Sequence, residues 1–509
     1  MLLAPLAPLL LLWPLPPAAA PPEGGRAPAH ARTALAPQEP RASAQDADDT
    51  TKAPSRPNVL LLIADDLTAT AMSCYGSEVC QTPNLDALAA RGVRFTRAYC
   101  QGTYCGPSRA SFLSGYYPHA LEMLGYRWPK ERVGDRATWP RHFKDAGYHT
   151  ARVGKVFHMG VPGDIEKGAD GADDPDSWSE RHNCAGPEWR APGEGQTLEG
   201  NPDRSRPVVG GNTFVAVAAE GDDLVHADGR AAAKACELLE SFAEQDQPFF
   251  LAVGFVRPHV PFVAPAVDFE PYPWEAMPLP PKLPGDQDDI PPRGINYKTS
   301  QNMQMDLEQQ RRAVAAYFAS VAYMDRQAGK VLDRLEALGL ADDTIVVFTS
   351  DHGYHLGEHD FWAKVSLLEE SARVPLLLRV PGRGEGSTSA SLVELLDLFP
   401  TTARLAGLEV PGRLQGEDLT PLLADAGAQP LRDAAFSANG KGFLLRTDRW
   451  AYIQYCEQAQ QGRQLYDMHA DPAQLTNLAE DPAHAEVVAS FTARMAAKLA
   501  AVRASDLGS

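Results

Sequence analysis

The 509-residue sequence lacks any excess of basic charge: 47 Lys and Arg stand against 66 Asp and Glu, a formal net charge of −19. A chain this acidic repels a phosphate backbone, which argues against nucleic acid as a partner and leaves no heparin-like basic track. An anionic ligand must then be met by a local cluster of cations. The sequence also lacks a long apolar run. Residues 2–15 are almost all apolar, but they fall short of the ~20 residues that span a bilayer and are broken by Pro5, Pro8 and Pro14, so no transmembrane span is predicted. With Ala18-Ala19-Ala20 as a small-residue cleavage site, 1–20 reads instead as a secretory signal peptide, unusual in having no Lys or Arg before Arg26. That places the protein outside the cytosol, secreted or periplasmic. Internal repeats are absent.

What is present is ordinary for a folded protein, 44% apolar and 22% charged residues, in a chain long enough for one large α/β domain and a smaller one. Residues 21–54, rich in Pro and Ala and without periodicity, read as a flexible tether. The main domain is expected over 55–425 and a C-terminal subdomain over 426–509.

Val59 to Ala64 is a continuous apolar run, the mark of a strand buried on both faces of a parallel sheet, and it ends in Asp65-Asp66. Three further segments repeat this design. His149 to Val153 leads to Lys155 and His158; Pro248 to Phe255 leads to Arg257-Pro258-His259; Thr344 to Ser350 leads to Asp351-His352. Polar side chains at the carboxyl ends of buried strands lie where open α/β sheets bind ligands, and paired carboxylates offer hard oxygens suited to Ca²⁺ or Mg²⁺. Each ending has a bland reading too, as a turn cap or a solvated loop residue. Four on one sheet edge are harder to dismiss.

Helices are predicted over 82–91, 139–146, 227–245, 309–338 and 391–405, a strand over 374–380, and short antiparallel strands with a final helix at 485–502 in the C-terminal part. The polar, Gly- and Pro-rich stretch 160–223 reads as an insertion on the rim of a pocket. Cys105 to Gly115 reads as a turn feeding a helix, with Ser108 and Ser111 available as caps and Gly115 as its left-handed stop. Cys105 then sits at the positive end of a helix dipole, and Arg109, one turn on, can fork onto a tetrahedral oxyanion.

Cys105-Gly106-Pro107-Ser108-Arg109 followed by Leu113-Ser114-Gly115 resembles the modification motif of the type I sulfatases. Thr82-Pro83-Asn84-Leu85-Asp86, Gly154-Lys155-Val156-Phe157-His158, Ser350-Asp351-His352-Gly353 and Gly357-Glu358-His359 are similar to other motifs of that family. Phe249 to Gly254 ahead of Arg257-Pro258-His259, and Trp362-Ala363-Lys364, look most like its iduronate-2-sulfatase branch. The resemblance runs from about 56 to 480. It implies an alkaline-phosphatase-like α/β fold: a large, mostly parallel sheet between helices, with a smaller antiparallel sheet in the C-terminal subdomain.

By the same resemblance, Cys105 is oxidised to formylglycine by a maturation enzyme, and its aldehyde hydrate is the nucleophile. Asp65, Asp66, Asp351 and His352, together with the modified Cys105, hold Ca²⁺, with Mg²⁺ as the alternative. Lys155 and His158 orient the hydrate. His259 and Lys364 grip the sulfate, with His259 the candidate general acid, and the substrate is a sulfated carbohydrate. With Cys105 converted, Cys74, Cys80, Cys100, Cys184, Cys236 and Cys456 remain, an even number compatible with disulfides, although Cys236 on an apolar helix face also suits a core thiol. Two other functions stay open: a phosphomonoester, phosphodiester or phosphonate ester hydrolase on the same fold, and a non-catalytic glycan-binding protein.

Overall fold

The structure, a computed structural model, describes residues 56–123, 125–200 and 214–507. The signal peptide and tether read above lie outside the described residues. The main sheet contains, in chain order, β1 (Asn58–Asp65), β2 (Val93–Tyr99), β3 (His149–Gly154), β4 (Glu180–His182), β5 (Phe249–Pro258), β6 (Thr344–Ser350), β7 (Arg373–Arg379) and β8 (Ser387–Glu394). Their spatial order is β8-β2-β7-β6-β1-β5-β3-β4, and only β7 runs against its neighbours.

The apolar run of β1 is continuous because both faces are covered. Leu60, Leu62 and Ala64 pack into a core shared with helices α1 (Pro83–Ala90), α3 (Ala227–Ala243) and α4 (Leu307–Ala337), while Val59, Leu61 and Ile63 point the other way, toward Phe112, Leu395 and Phe399. Each fully buried Leu or Ile of this kind contributes about 1.5–3 kcal/mol. Helix α4 starts two residues before the predicted position 309, because Asp306 and Gln309 close a reciprocal capping box.

Between α2 (Cys105–Ser114) and α3 the inserted region forms short elements, among them Gly193–Thr197 and Val215–Ala219, which join Phe262–Pro265 in a three-stranded sheet. After α5 (Leu398–Leu405), strands β9 (Ala434–Ala438), β10 (Gly442–Thr447), β11 (Trp450–Tyr455) and β12 (Arg463–Asp467) form an antiparallel meander. Helix α6 (Ala485–Arg503) covers it, with Phe491 stacked on Tyr452. Ala438 of β9 donates its amide to Gln101 O at 3.0 Å, which ties this sheet to the turn ahead of Cys105.

Three expectations change. The helix expected over 391–405 begins only at Leu398: Ser391 to Glu394 complete β8, whose pairing with β2 outweighs a spacing of apolar residues that suits helix and strand alike. Ser108 and Ser111 do not cap α2; their hydroxyls donate to Asp351 O and Tyr116 O. All seven cysteines are free thiols, since each is packed into its own surroundings, Cys80 beside Phe318 O, Cys100 beside Ser371 O and Cys236, only half-buried, beside Lys330 O. No helix among the described residues is long and apolar enough to cross a membrane.

Candidate active site

The four polar strand endings belong to four adjacent strands, β6, β1, β5 and β3, so their side chains converge. The approach is tight enough to need glycine: Gly154 has φ +68°, and a Cβ on Gly254 would stand 2.0 Å from Lys155 O. At the end of β1 the chain turns through Asp66, which takes φ +67°, a costly conformation for a non-glycine residue. Tyr317 of α4 holds it there by donating its hydroxyl to Asp66 O at 2.7 Å, and Asp351 Oδ1 accepts the Asp66 amide at 3.2 Å.

Cys105 opens α2 and points into this cluster, 1% exposed. Its Sγ lies 3.2 Å from Lys364 Nζ and 3.3 Å from His352 Nε2. Lys364, carried by the Trp362–Ala363 strand, also donates to Asp66 Oδ1 at 2.7 Å and Oδ2 at 3.0 Å. The adjoining Val365 amide bonds to Thr103 O at 3.1 Å, which fixes the Lys364 loop against the Cys105 turn. Lys155 Nζ pairs with Asp65 Oδ2.

Arg109 does not present a free fork. Its Nε donates to Asp351 Oδ2 at 2.8 Å, its Nη1 to the carbonyls of Lys155 and Val156, and its Nη2 stands 3.5 Å from Asp65 Oδ1. It is a buried clamp on two carboxylates, because the turn of α2 that presents it faces the sheet and not the pocket.

Electrostatics follow from this packing. Burial alone would raise the Asp65 carboxyl, but Lys155, His259 and Arg109 hold it well below the usual carboxylate range. Burial wins at Asp66, which is pushed up to about 7 despite Lys364 and His352. At Cys105 burial and Asp65 oppose ionisation, yet Lys364 and Lys155 bring the thiol below its ordinary value. His352 is raised to about 9, since Asp351, Cys105 and Asp66 outweigh its burial. His158 falls to about 3, through burial and then Lys155.

A pocket of about 440 Å³ opens above Cys105, His158, His259 and Lys364. Asp65, Asp66, Asp351, His352, Lys155 and Arg109 lie behind that floor. Donor atoms of Asp65, Cys105, Asp351 and His352 lie within 4.8 Å of one another, as do those of Asp65, Asp66, Cys105 and His259. Asp65 Oδ1 is buried without a hydrogen-bond partner, with only Arg109 Nη2 at 3.5 Å, and the carboxylate-rich donor set suits a hard divalent ion.

His259 lies between Pro258 and Pro261, its Nε2 3.8 Å from Asp66 Oδ2 and its Nδ1 bonded to Val260 O. The neighbouring Arg257 sets its place by donating from Nη1 to His259 O and Pro261 O, both at 2.7 Å, while Nη2 pairs with buried Glu188 at 2.6 Å. Arg257→Leu leaves Glu188 buried and unpaired, at an expected cost of about 3–5 kcal/mol. Denaturant unfolding checks this, and a loss below about 1 kcal/mol would refute it.

Sequence reasoning did not single out Tyr126, whose ring stacks on His158 at 4.6 Å, or Trp189 and Arg190 on the pocket wall. Tyr126 stands in an irregular turn without periodicity, and Tyr317 was submerged in an apolar helix stripe that correctly reads as core. The insertion does supply rim residues, Gly160 to Asp164 among them.

A reactive side chain at a helix start, aimed into balanced carboxylates and cations at the carboxyl edge of a mostly parallel sheet, defines a hydrolase of the alkaline-phosphatase-like fold class. Residues 57–408 match the Sulfatase family, and residues 357–501 match the family described as N-sulphoglucosamine sulphohydrolase, C-terminal. The chain belongs to the sulfatase family and is a sulfuric ester hydrolase. It is 36% identical to the iduronate 2-sulfatases of Mus musculus, over 401 residues, and Homo sapiens, over 412, covering 70% of this chain and of each relative. With the choline-sulfatase of Rhizobium meliloti (strain 1021) it shares 32% identity over 441 residues, 84% of this chain and 83% of that one. Among solved structures, a protein complexed with its substrate D-glucosamine-2-N,6-O-disulfate aligns with a TM-score of 0.68 at 23% identity, covering 88% of this chain and 98% of that one. The phosphonate monoester hydrolase of Silicibacter pomeroyi aligns with a TM-score of 0.70 at 24% identity, covering 87% and 95%. These two share the fold.

Proposed function

We propose that the protein removes sulfate from a sulfated glycan, as an iduronate-2-sulfatase-like enzyme outside the cytosol, with Cys105 oxidised to formylglycine by a separate maturation enzyme. The observation that carries this reading is the placement of Cys105 Sγ on the pocket floor, 3.2 Å from Lys364 Nζ and 3.3 Å from His352 Nε2. The aldehyde hydrate at this position supplies two hydroxyls, one to attack sulfur and one to release the sulfate afterwards. Asp65, Asp66, Asp351, His352 and the modified Cys105 would hold Ca²⁺, with Mg²⁺ the alternative, and the bound ion supplies positive charge for the sulfuryl oxygens.

The side chains of this chain do the rest. Lys364 stays charged, since Asp66, Cys105 and Asp65 outweigh its burial, and it grips a sulfate oxygen over the pocket floor. Lys155 and Arg109 fix the carboxylates, and Lys155 with His158 limits the orientations open to the hydrate. His259 is neutral in the resting site, pushed down by burial and then by Lys364. With Nδ1–H donated to Val260 O, its Nε2 is an acceptor; arrival of the anionic ester favours protonation there, and the proton then passes to the departing glycan oxygen.

Matched sulfate, phosphate and phosphonate esters of one alcohol test this assignment. We expect kcat/KM for the sulfate to exceed the others by about 100-fold, roughly 2.7 kcal/mol of transition-state discrimination. A preference for the phosphonate would place the protein with the phosphonate hydrolases.

A further inference from the structure

A second pocket, of about 360 Å³, lies on the other side of the Cys105 turn. Tyr104 and Pro107 line it from the α2 side, Asn439 and Lys441 from the turn between β9 and β10, and Phe443 from the start of β10. Consecutive residues thus line different cavities, Tyr104 this one and Cys105 the catalytic one. Tyr126, on the catalytic side, meets the Tyr104 ring edge-on at 5.7 Å, so two aromatic rings form the partition. The two cavities are thus neighbours, sharing a wall at residues 104 and 105.

The charges in this pocket are unevenly partnered. Lys441 Nζ reaches Ile295 O at 3.3 Å and Arg293 Nη2 reaches Gly440 O at 3.5 Å. Neither cation forms an ion pair among the described residues. The pocket's own carboxylates are committed elsewhere: Glu457 pairs with Arg503 and stands 3.6 Å from His119, and Glu122 stands 3.5 Å from Arg132. Burial and then the Arg293 charge push the Lys441 ammonium below its ordinary value, as expected for two cations left facing each other. In a protein of net charge −19, two neighbouring cations that pair with neither of the pocket's carboxylates, on a wall of Tyr104, Pro107 and Phe443, give an apolar pocket positive groups free to meet an anion.

We infer that this pocket is a second sugar subsite, which takes an anionic residue, sulfated or carboxylated, of the same glycan chain whose sulfate ester enters the catalytic pocket. The inference rests on the sulfatase reading above and extends it: the substrate is an oligosaccharide of at least two linked units, and Arg293 and Lys441 read the charge of the second.

The test compares wild type with the Arg293→Gln/Lys441→Gln double variant on four substrates bearing the same sulfate ester on the terminal unit. These are the monosaccharide and disaccharides whose second unit is neutral, carboxylated or sulfated. Wild type should favour an anionic disaccharide over the neutral one by about 10- to 100-fold, the scale of a charged hydrogen bond or two, and the double variant should abolish that preference. The carboxylated and sulfated arms tell which anion is preferred. No preference in wild type, or a preference that survives the double substitution, overturns the subsite. Calorimetric binding of the anionic disaccharides is measured in the Cys105→Ala background, with and without the two substitutions, and should weaken by the same factor. If wild type hydrolyses no sulfate ester, the sulfatase reading falls, and this binding comparison still decides the subsite.

Discussion

A Cys105→Ser enzyme should attack once and stop. The serine hydroxyl would occupy the start of α2 beside Lys364 and His352, with the Asp65, Asp66 and Asp351 carboxylates behind it, so transfer of the sulfuryl group to that oxygen remains open to it. Release does not. A single hydroxyl has no second oxygen from which to rebuild a carbonyl, and the sulfate ester stays on the protein. Steady-state turnover should therefore fall by about 10⁴- to 10⁶-fold, the scale on which loss of a nucleophile is felt. A burst of one product per enzyme, and a sulfated peptide spanning residue 105 in the mass spectrum, are the accompanying readouts. Cys105→Ala, with no nucleophile, should show neither burst nor adduct. Repeated turnover by the serine variant near the wild-type rate would eliminate the hydrate reading and favour direct displacement by water.

The second large effect belongs to Asp351. Its Oδ2 takes Nε of Arg109 at 2.8 Å, and its Oδ1 takes the amides of Asp66 at 3.2 Å and His352 at 3.0 Å. Asp351→Ala would confound two losses, since a buried Arg109 stripped of a partner costs about 3–5 kcal/mol of stability by itself. Asp351→Asn keeps the shape and an acceptor oxygen while removing one charge, and is the cleaner probe. We expect Ca²⁺ to raise the unfolding temperature of wild type, with about 2.7 kcal/mol of stabilisation at a hundredfold excess over Kd, and to do much less for the Asn variant. Chelation should abolish wild-type activity, and added Ca²⁺ or Mg²⁺ should restore it. Full turnover in protein shown to be metal-free, or an unchanged Ca²⁺ response in the variant, would remove these residues from the metal site.

The sequence made the central sheet legible because strands covered on both faces must be apolar throughout, and β1, β5 and β6 have few other readings. The polar endings were legible for the same reason: Asp65-Asp66 stands out against the six apolar residues Val59 to Ala64, and Asp351-His352 closes a strand whose centre is Ile345 to Phe348. Side-chain direction was harder. The sequence puts Arg109 one turn from Cys105 but does not say that this turn faces Asp351, so an anion fork was expected where a clamp exists. Ser391 to Glu394 illustrate a different limit, because spacing there fits two structures and the choice falls to a partner strand almost 300 residues away in the chain. Cysteine parity likewise suggested bridges that the packing of separate thiols does not make.

The depth of Cys105 imposes an order of events on the making of this enzyme. A side chain 1% exposed, set in a pocket floor it shares with His158, His259 and Lys364, offers no room for another protein's active site to grasp the backbone around it. Any enzyme that oxidises this thiol has to act while residues around 105 are still extended. The floor itself cannot close early, for Cys105 meets His352 across 247 residues of chain and Asp66 meets Lys364 across 298. Contacts that distant form late, after much of the loop-closure entropy has been spent. Late closure of these contacts thus leaves an interval in which the thiol is accessible, and under the function proposed above the length of that interval sets how much of the protein acquires the aldehyde.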